Sequence, residues 1–229
     1  MATPQMPQSS SVPPPPPGEG LAPDMNLGRY LTAAWNLVTK DIVLFIVGYL
    51  VVLAILAVSS LVIVGPIVLG GPLLFGYVRV VQARLNNQPA AFGDLFQGFK
   101  DFGKAFVTVL LLALIGLGVG IVNIILMLIP IIGILAALAL GIVFGAMIFF
   151  VMPIAALSEV SPVQAISRSI KFCFANFWKV LLLSFVLGLI AAAGGLVCGV
   201  GALLTVPLAL AAGVVAYNEY YLPKAVEAV

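Results

Sequence analysis

Apolar residues occur along this chain in two patterns. In three long blocks they are nearly continuous: Ile42 to Val78, Ala105 to Ser158 and Val180 to Asn218 contain no Asp, Glu, Lys or Arg. Each block is long enough for two helical crossings of a roughly 30 Å hydrocarbon core at about 1.5 Å per residue. Before each block the apolar residues instead recur at helical spacing. The first such stretch uses Leu27, Tyr30, Leu31, Ala34 and Val38, and the third uses Val163, Ile166, Ile170, Phe174 and Phe177. The second uses Phe92, Leu95, Phe96, Phe99, Phe102 and Phe106, with Asp94, Gln97, Lys100 and Asp101 largely on the opposite side. The pattern predicts an all-α, six-span transmembrane bundle built from three units, each an amphipathic interfacial helix (about 27–40, 91–104 and 162–178) followed by a hairpin.

The spans are expected at Ile42 to Val64, Pro66 to Leu85, Ala105 to Ile129, Ile131 to Leu157, Val180 to Leu204 and Thr205 to Leu222. A lysine marks the start of each odd-numbered span, at Lys40, Lys104 and Lys179. The third interfacial helix opens on Ser161-Pro162-Val163-Gln164, a capping-box pattern with proline at the first helical position. Between paired spans the turns are short and apolar, each built on a proline: Val64-Gly65-Pro66, Ile129-Pro130-Ile131 and Leu204-Thr205-Val206-Pro207. Gly116 to Gly120, Gly141 to Gly145 and Gly195 to Gly199 have small-xxx-small spacing, which predicts close helix packing.

Charge sets the orientation. All ten Lys and Arg residues, and all eight Asp and Glu, fall on one side of this topology. The positive-inside bias makes that side, with both chain termini, cytoplasmic. Trp35, Trp178, Tyr217, Tyr220 and Tyr221 then read as an aromatic belt at the same interface. Arg79 lies inside the end of the second span, where it either snorkels to the interface or pairs with Glu159 or Glu219 as an internal lock or headgroup-contacting site. Asn123 and Asn218 are expected to make interhelical hydrogen bonds.

Composition agrees with the hydropathy pattern, at 63% hydrophobic and 8% charged residues. A net charge of +2 without a basic run predicts no nucleic-acid partner, which leaves membrane lipids, a membrane protein or a second copy. Residues 1–25 form a Pro-rich tail with consecutive prolines from Pro13 to Pro17, expected to be a disordered spacer; residues 26–229 form the membrane domain. The tail lacks the basic and apolar regions of a signal peptide. Cys173 and Cys198 lack metal-site spacing and read as small apolar residues.

The chain contains no histidine, and its acids are few and scattered. Asp94 and Asp101 are expected to be solvated or paired with Lys100 and Lys104. Ser59, Ser60 and Ser184 stand in apolar surroundings without a base. No catalytic, cofactor or metal site is therefore predicted, and the one polar cluster singled out is Arg79, Glu159 and Glu219.

Two motifs carry a resemblance. Gly71-Pro72-Leu73-Leu74-Phe75-Gly76-Tyr77, followed by Phe92-Gly93-Asp94-Leu95-Phe96-Gln97-Gly98-Phe99, resembles a signature of uncharacterised bacterial integral membrane proteins. Met152-Pro153-Ile154-Ala155-Ala156-Leu157-Ser158-Glu159, with Ser161-Pro162, Ala165 and Ser169, is similar to a motif of those proteins and of the membrane domain attached to some glycerophosphodiester phosphodiesterases. The resemblance implies a bacterial multi-helix membrane domain and no phosphodiesterase activity, because that family places catalysis in a separate soluble domain. The expected role is a non-enzymatic scaffold, assembly or envelope-homeostasis component; export of an apolar or lipid-like substrate is the alternative.

Overall fold

In the computed structural model, which describes residues 25–61, 65–196 and 201–227, the apolar blocks fold as helices with no strand among the described residues. The helices are α1 (Leu27–Lys40), α2 (Ile42–Ser59), α3 (Gly65–Leu85), α4 (Phe102–Met127), α5 (Ile132–Ile148), α6 (Val151–Leu157), α7 (Pro162–Ala175), α8 (Phe177–Leu196), α9 (Ala202–Ala216) and α10 (Leu222–Glu227). A 3-10 helix, Phe92–Asp101, precedes α4, and a π-helical turn, Tyr217–Tyr221, joins α9 to α10. Six helical stretches among the described residues are long and apolar enough to cross a membrane. The chain is a multi-pass, all-α membrane protein. The Pro-rich tail, Cys198, Gly199 and the turn residue Val64 lie outside the described residues.

α3 is the central element, packing against α2, the 3-10 helix, α4, α6 and α9. Its buried residues run from Gly70 to Val81, on every side of the helix, as a helix surrounded by others requires. α4 and α5, by contrast, leave Leu117, Ile121, Ile124, Ile132, Leu135 and Leu138 exposed. In a hydrocarbon environment such surfaces need no protein cover.

Of the two short amphipathic α-helices, α1 turns its predicted face inward, whereas α7 departs from expectation: Val163 and Phe174 of its predicted face are exposed, and Ala165, Ile166, Ser169, Phe172 and Cys173 are buried. α1 begins at Asn26, whose Oδ1 accepts from the Arg29 N–H at 3.0 Å, and it buries Tyr30, Ala34 and Val38. α7 has the predicted capping box: the Gln164 N–H donates to Ser161 Oγ at 3.3 Å, and the Ser161 N–H donates to Gln164 Oε1 at 3.1 Å.

The second short helix differs from expectation in its winding. At three residues per turn, Leu95 and Gly98 fall on one buried face. The same winding aligns the rings of Phe96, Phe99 and Phe102, with centroid distances of 6.3 and 6.4 Å. The next ring in the ladder is Phe106, four residues on and 5.9 Å away, because the α-helix has begun.

Glycine and proline shape the remainder. The fourth span breaks between α5 and α6 because Pro153 has no N–H to offer the carbonyl four residues earlier. At the α4–α5 turn Ile131 has φ 61°, and the Ile132 N–H donates to Pro130 O at 2.7 Å, closing a γ-turn.

The expected glycine packing is corrected. A methyl group at Gly118, Gly120, Gly141, Gly145 or Gly195 would meet nothing within 4 Å, and at Gly116 only a Phe144 ring atom at 3.9 Å. The close approaches occur elsewhere. Gly98 lies against the α3 backbone at Pro72 and Gly76, and Gly76 lies against the 3-10 backbone at Leu95. Spacing alone does not distinguish a glycine that faces a helix from one that faces lipid.

Candidate functional site

On the charged side a polar latch joins segments distant in sequence. Arg79 projects from the last turns of α3 and is only 27% exposed. Its Nη2 donates to Asp101 Oδ2, its Nη1 to Gln97 O at 3.1 Å and its Nε to Ala156 O at 3.4 Å. The planar guanidinium thus joins α3, the 3-10 helix and the end of α6, a geometry that suits its several fixed donors. Lys104 Nζ reaches Ser158 O at 2.5 Å, and Ser158 Oγ lies 3.0 Å from Tyr217 Oη. Two cations therefore cover carbonyls at the C-terminal end of α6, which the helix itself leaves without partners.

This arrangement revises the predicted cluster of Arg79, Glu159 and Glu219. Arg79 meets neither glutamate; its acidic partner is Asp101. Glu219 pairs instead with Arg29 of α1 at 3.1 Å, and Glu159 is exposed. Asp94, expected to be solvated or paired with lysine, accepts from the Ala91 N–H at 2.7 Å and from Gln97 Nε2 at 2.5 Å.

The tyrosines also move from their expected place. Tyr217, Tyr220 and Tyr221 are buried, and only Trp35 and Trp178 of the proposed belt are exposed. The π turn places Tyr217 and Tyr221 in a stack at 5.2 Å. Tyr221 meets Phe172 at 4.8 Å and Phe150 at 5.6 Å, giving an aromatic core at the junction of α6, α7 and α9. Tyr220 Oη and Lys224 Nζ both donate to Asn176 Oδ1, at 3.1 and 3.0 Å, where α7 turns into α8. Cys173 is buried in this region, and burial pushes its thiol pKa up, away from reactivity.

Away from the charged side, a groove of about 630 Å³ runs between α4, α5 and α8. Its lining extends along α5 from Ile134 to Phe149, roughly 22 Å at about 1.5 Å per residue. Gly141, Gly145 and Gly188 form part of the wall, and the space beside each is open. The small-residue positions expected to hold helices together instead leave room for a chain.

Two polar side chains belong to this wall, Asn123 and Ser184. Ser184 Oγ donates to Leu181 O at 3.1 Å. Asn123 Oδ1 is buried and has no hydrogen-bond partner among the described residues, unlike the predicted interhelical bond. Asn218 does form one, exchanging hydrogen bonds with Gln82 at 2.7 and 3.3 Å. An unmatched buried amide costs about 1–3 kcal/mol in its desolvation. Asn123→Leu is therefore expected to raise thermal stability by about 1 kcal/mol in detergent; a lower melting temperature would show that the amide is matched in the protein.

Among the described residues no three Cys, Asp or Glu side chains gather where they could hold a metal ion. No protein-family model, curated protein or solved structure matches this chain.

Proposed function

We propose that the protein is a non-enzymatic membrane component that accommodates a lipid acyl chain in the α4–α5–α8 groove and serves as a scaffold or assembly factor in a bacterial inner membrane, with its charged side cytoplasmic. The observation that carries the reading is a glycine-walled apolar groove between helices long and apolar enough to cross a membrane, with length close to that of an extended acyl chain. Asn123 and Ser184 supply hydrogen-bonding groups but no proton-transfer pair. On the charged side, α3, the 3-10 helix and α6 are tied together by Arg79, which favours a fixed platform over alternating access.

A nitroxide attached at Gly145→Cys distinguishes this reading from export through a hydrated cavity. Membrane-soluble oxygen is expected to relax the label, while a water-soluble nickel chelate leaves it unaffected. Relaxation by the nickel chelate would mean a hydrated cavity and would replace the lipid-chain reading with the export alternative.

A further inference from the structure

A second hollow, of about 310 Å³, lies at the charged ends of the bundle and shares no lining residue with the α4–α5–α8 groove. One wall is the α1 face bearing Asn36 and Lys40, and the other is the last turn of α3 with the following Asn87 and Gln88. Asn87 has φ 54°, the left-handed conformation that asparagine tolerates, and it turns the chain back beside α1. Ala33, Leu37 and Leu85 supply the apolar lining of the hollow.

Lys40, Arg84 and three side-chain amides supply donors around this hollow, the amides offering acceptors as well. Lys40 is exposed and makes no hydrogen bond or ion pair among the described residues, nor do the side-chain amides of Asn36, Asn87 and Gln88. Arg84 Nη2 donates to Ala90 O at 3.1 Å. Its Nε stands 3.3 Å from Asp41 Oδ2, within ion-pair distance, yet its N–H is buried without an aligned hydrogen bond. The pair brings the charges together but leaves that donor unused. Asp41 is the one acid in the hollow, and Arg84 already offsets it, so Lys40 leaves the site with an excess positive charge.

We infer that this hollow binds the phosphate of an anionic phospholipid. A phosphate presents acceptors to the lysine, the arginine and the three amides. The glycerol end of the lipid covers Leu37 and Leu85, which a free phosphate would leave in water. The hollow lies at the ends of membrane-spanning α2 and α3, the level at which headgroups are found. This site does not depend on the acyl-chain groove.

The test compares phosphatidylglycerol with phosphatidylcholine retention by native mass spectrometry, using the full chain. Lys40→Glu and Asn36→Asp alter side chains without protein partners and should leave the melting temperature unchanged. Asn36→Asp, which adds one negative charge, is expected to reduce the preference for phosphatidylglycerol about fivefold, and Lys40→Glu, which reverses a charge, about thirtyfold. Lys171→Glu makes the same charge change elsewhere on the charged side and should leave the preference intact, as should Gly145→Leu in the separate groove. A preference that survives Lys40→Glu, or falls equally in Lys171→Glu, would overturn the site. Displacement of phosphatidylglycerol by inorganic phosphate would overturn the lipid assignment.

Discussion

Gly98→Leu is expected to abolish the folded bundle, with the protein lost to aggregation or degradation before purification. The reason is the direct contact between two backbones. A side-chain carbon at Gly98 would overlap the Pro72 carbonyl oxygen and come within 2.6 Å of the Gly76 nitrogen, both in the middle of α3. Neither belongs to a side chain that could swing aside. Relief would require the 3-10 helix to lift from α3, which also removes Leu95 from its buried place and separates Arg79 from Asp101 and Gln97. Even Gly98→Ala should cost about 3 kcal/mol or more, at the upper end for an overpacked core. Gly145→Ala provides the contrast, since its new methyl meets open space. The gain in helix propensity makes it neutral or stabilising by up to about 1 kcal/mol. Thermal unfolding of the two alanine variants in one detergent measures the difference; equal midpoints would refute the backbone contact.

Arg79→Ala should produce the second largest loss, about 2–3 kcal/mol, because it leaves an aspartate and two backbone carbonyls without their charged donor. Partial exposure of Arg79 and Asp101, at 27% and 44%, lets water replace some of those bonds and keeps the loss below that of a fully buried pair. Arg79→Lys restores the charge without the planar fork, so it should recover only part of the stability. A double-mutant cycle of Arg79→Ala with Asp101→Asn is expected to show coupling of about 1 kcal/mol or more, while Arg79 with Glu159 should show none. The Arg29–Glu219 pair, with Arg29 67% exposed, should couple by no more than about 0.5 kcal/mol. Coupling of Arg79 to Glu159 as strong as to Asp101 would contradict the latch.

Features set by neighbours along the chain were legible without a structure. The charge-free blocks identify the membrane helices because length and hydropathy are local properties. The ends of α1 and the capping box at Ser161 follow from local hydrogen bonding in the same way. Features set by approach between distant segments were not legible. Phe96, Phe99 and Phe102 are spaced by three, which suits one face of an α-helix as well as a 3-10 turn. Their winding is decided where Gly98 meets Gly76 and Pro72.

The sequence marks Arg79 as a polar residue of consequence but does not reveal its partner. Asp101 already had lysines beside it in sequence, and nothing local says that α3 passes closer. The tyrosines illustrate the same limit, since their place beside the charged side fits an interfacial belt until the π turn gathers Tyr217 and Tyr221 onto the aromatic core. The groove was hidden most thoroughly. Gly141 and Gly145 have the spacing of a packing motif, and only the position of α8 reveals the space beside them.

The most direct measurement is to count the lipids retained by wild type and Gly145→Leu in pure phosphatidylcholine, using native mass spectrometry after gentle release from nanodiscs. A Cβ at position 145 meets nothing within 4 Å and the position lies in the groove wall, so Gly145→Leu is expected to fill part of the groove and remain folded. The lipid-binding account predicts one tightly held lipid on wild type and its loss from Gly145→Leu, with similar melting temperatures in a detergent that competes for the groove. Equal lipid retention by both proteins would contradict the assignment of the α4–α5–α8 groove to an acyl chain.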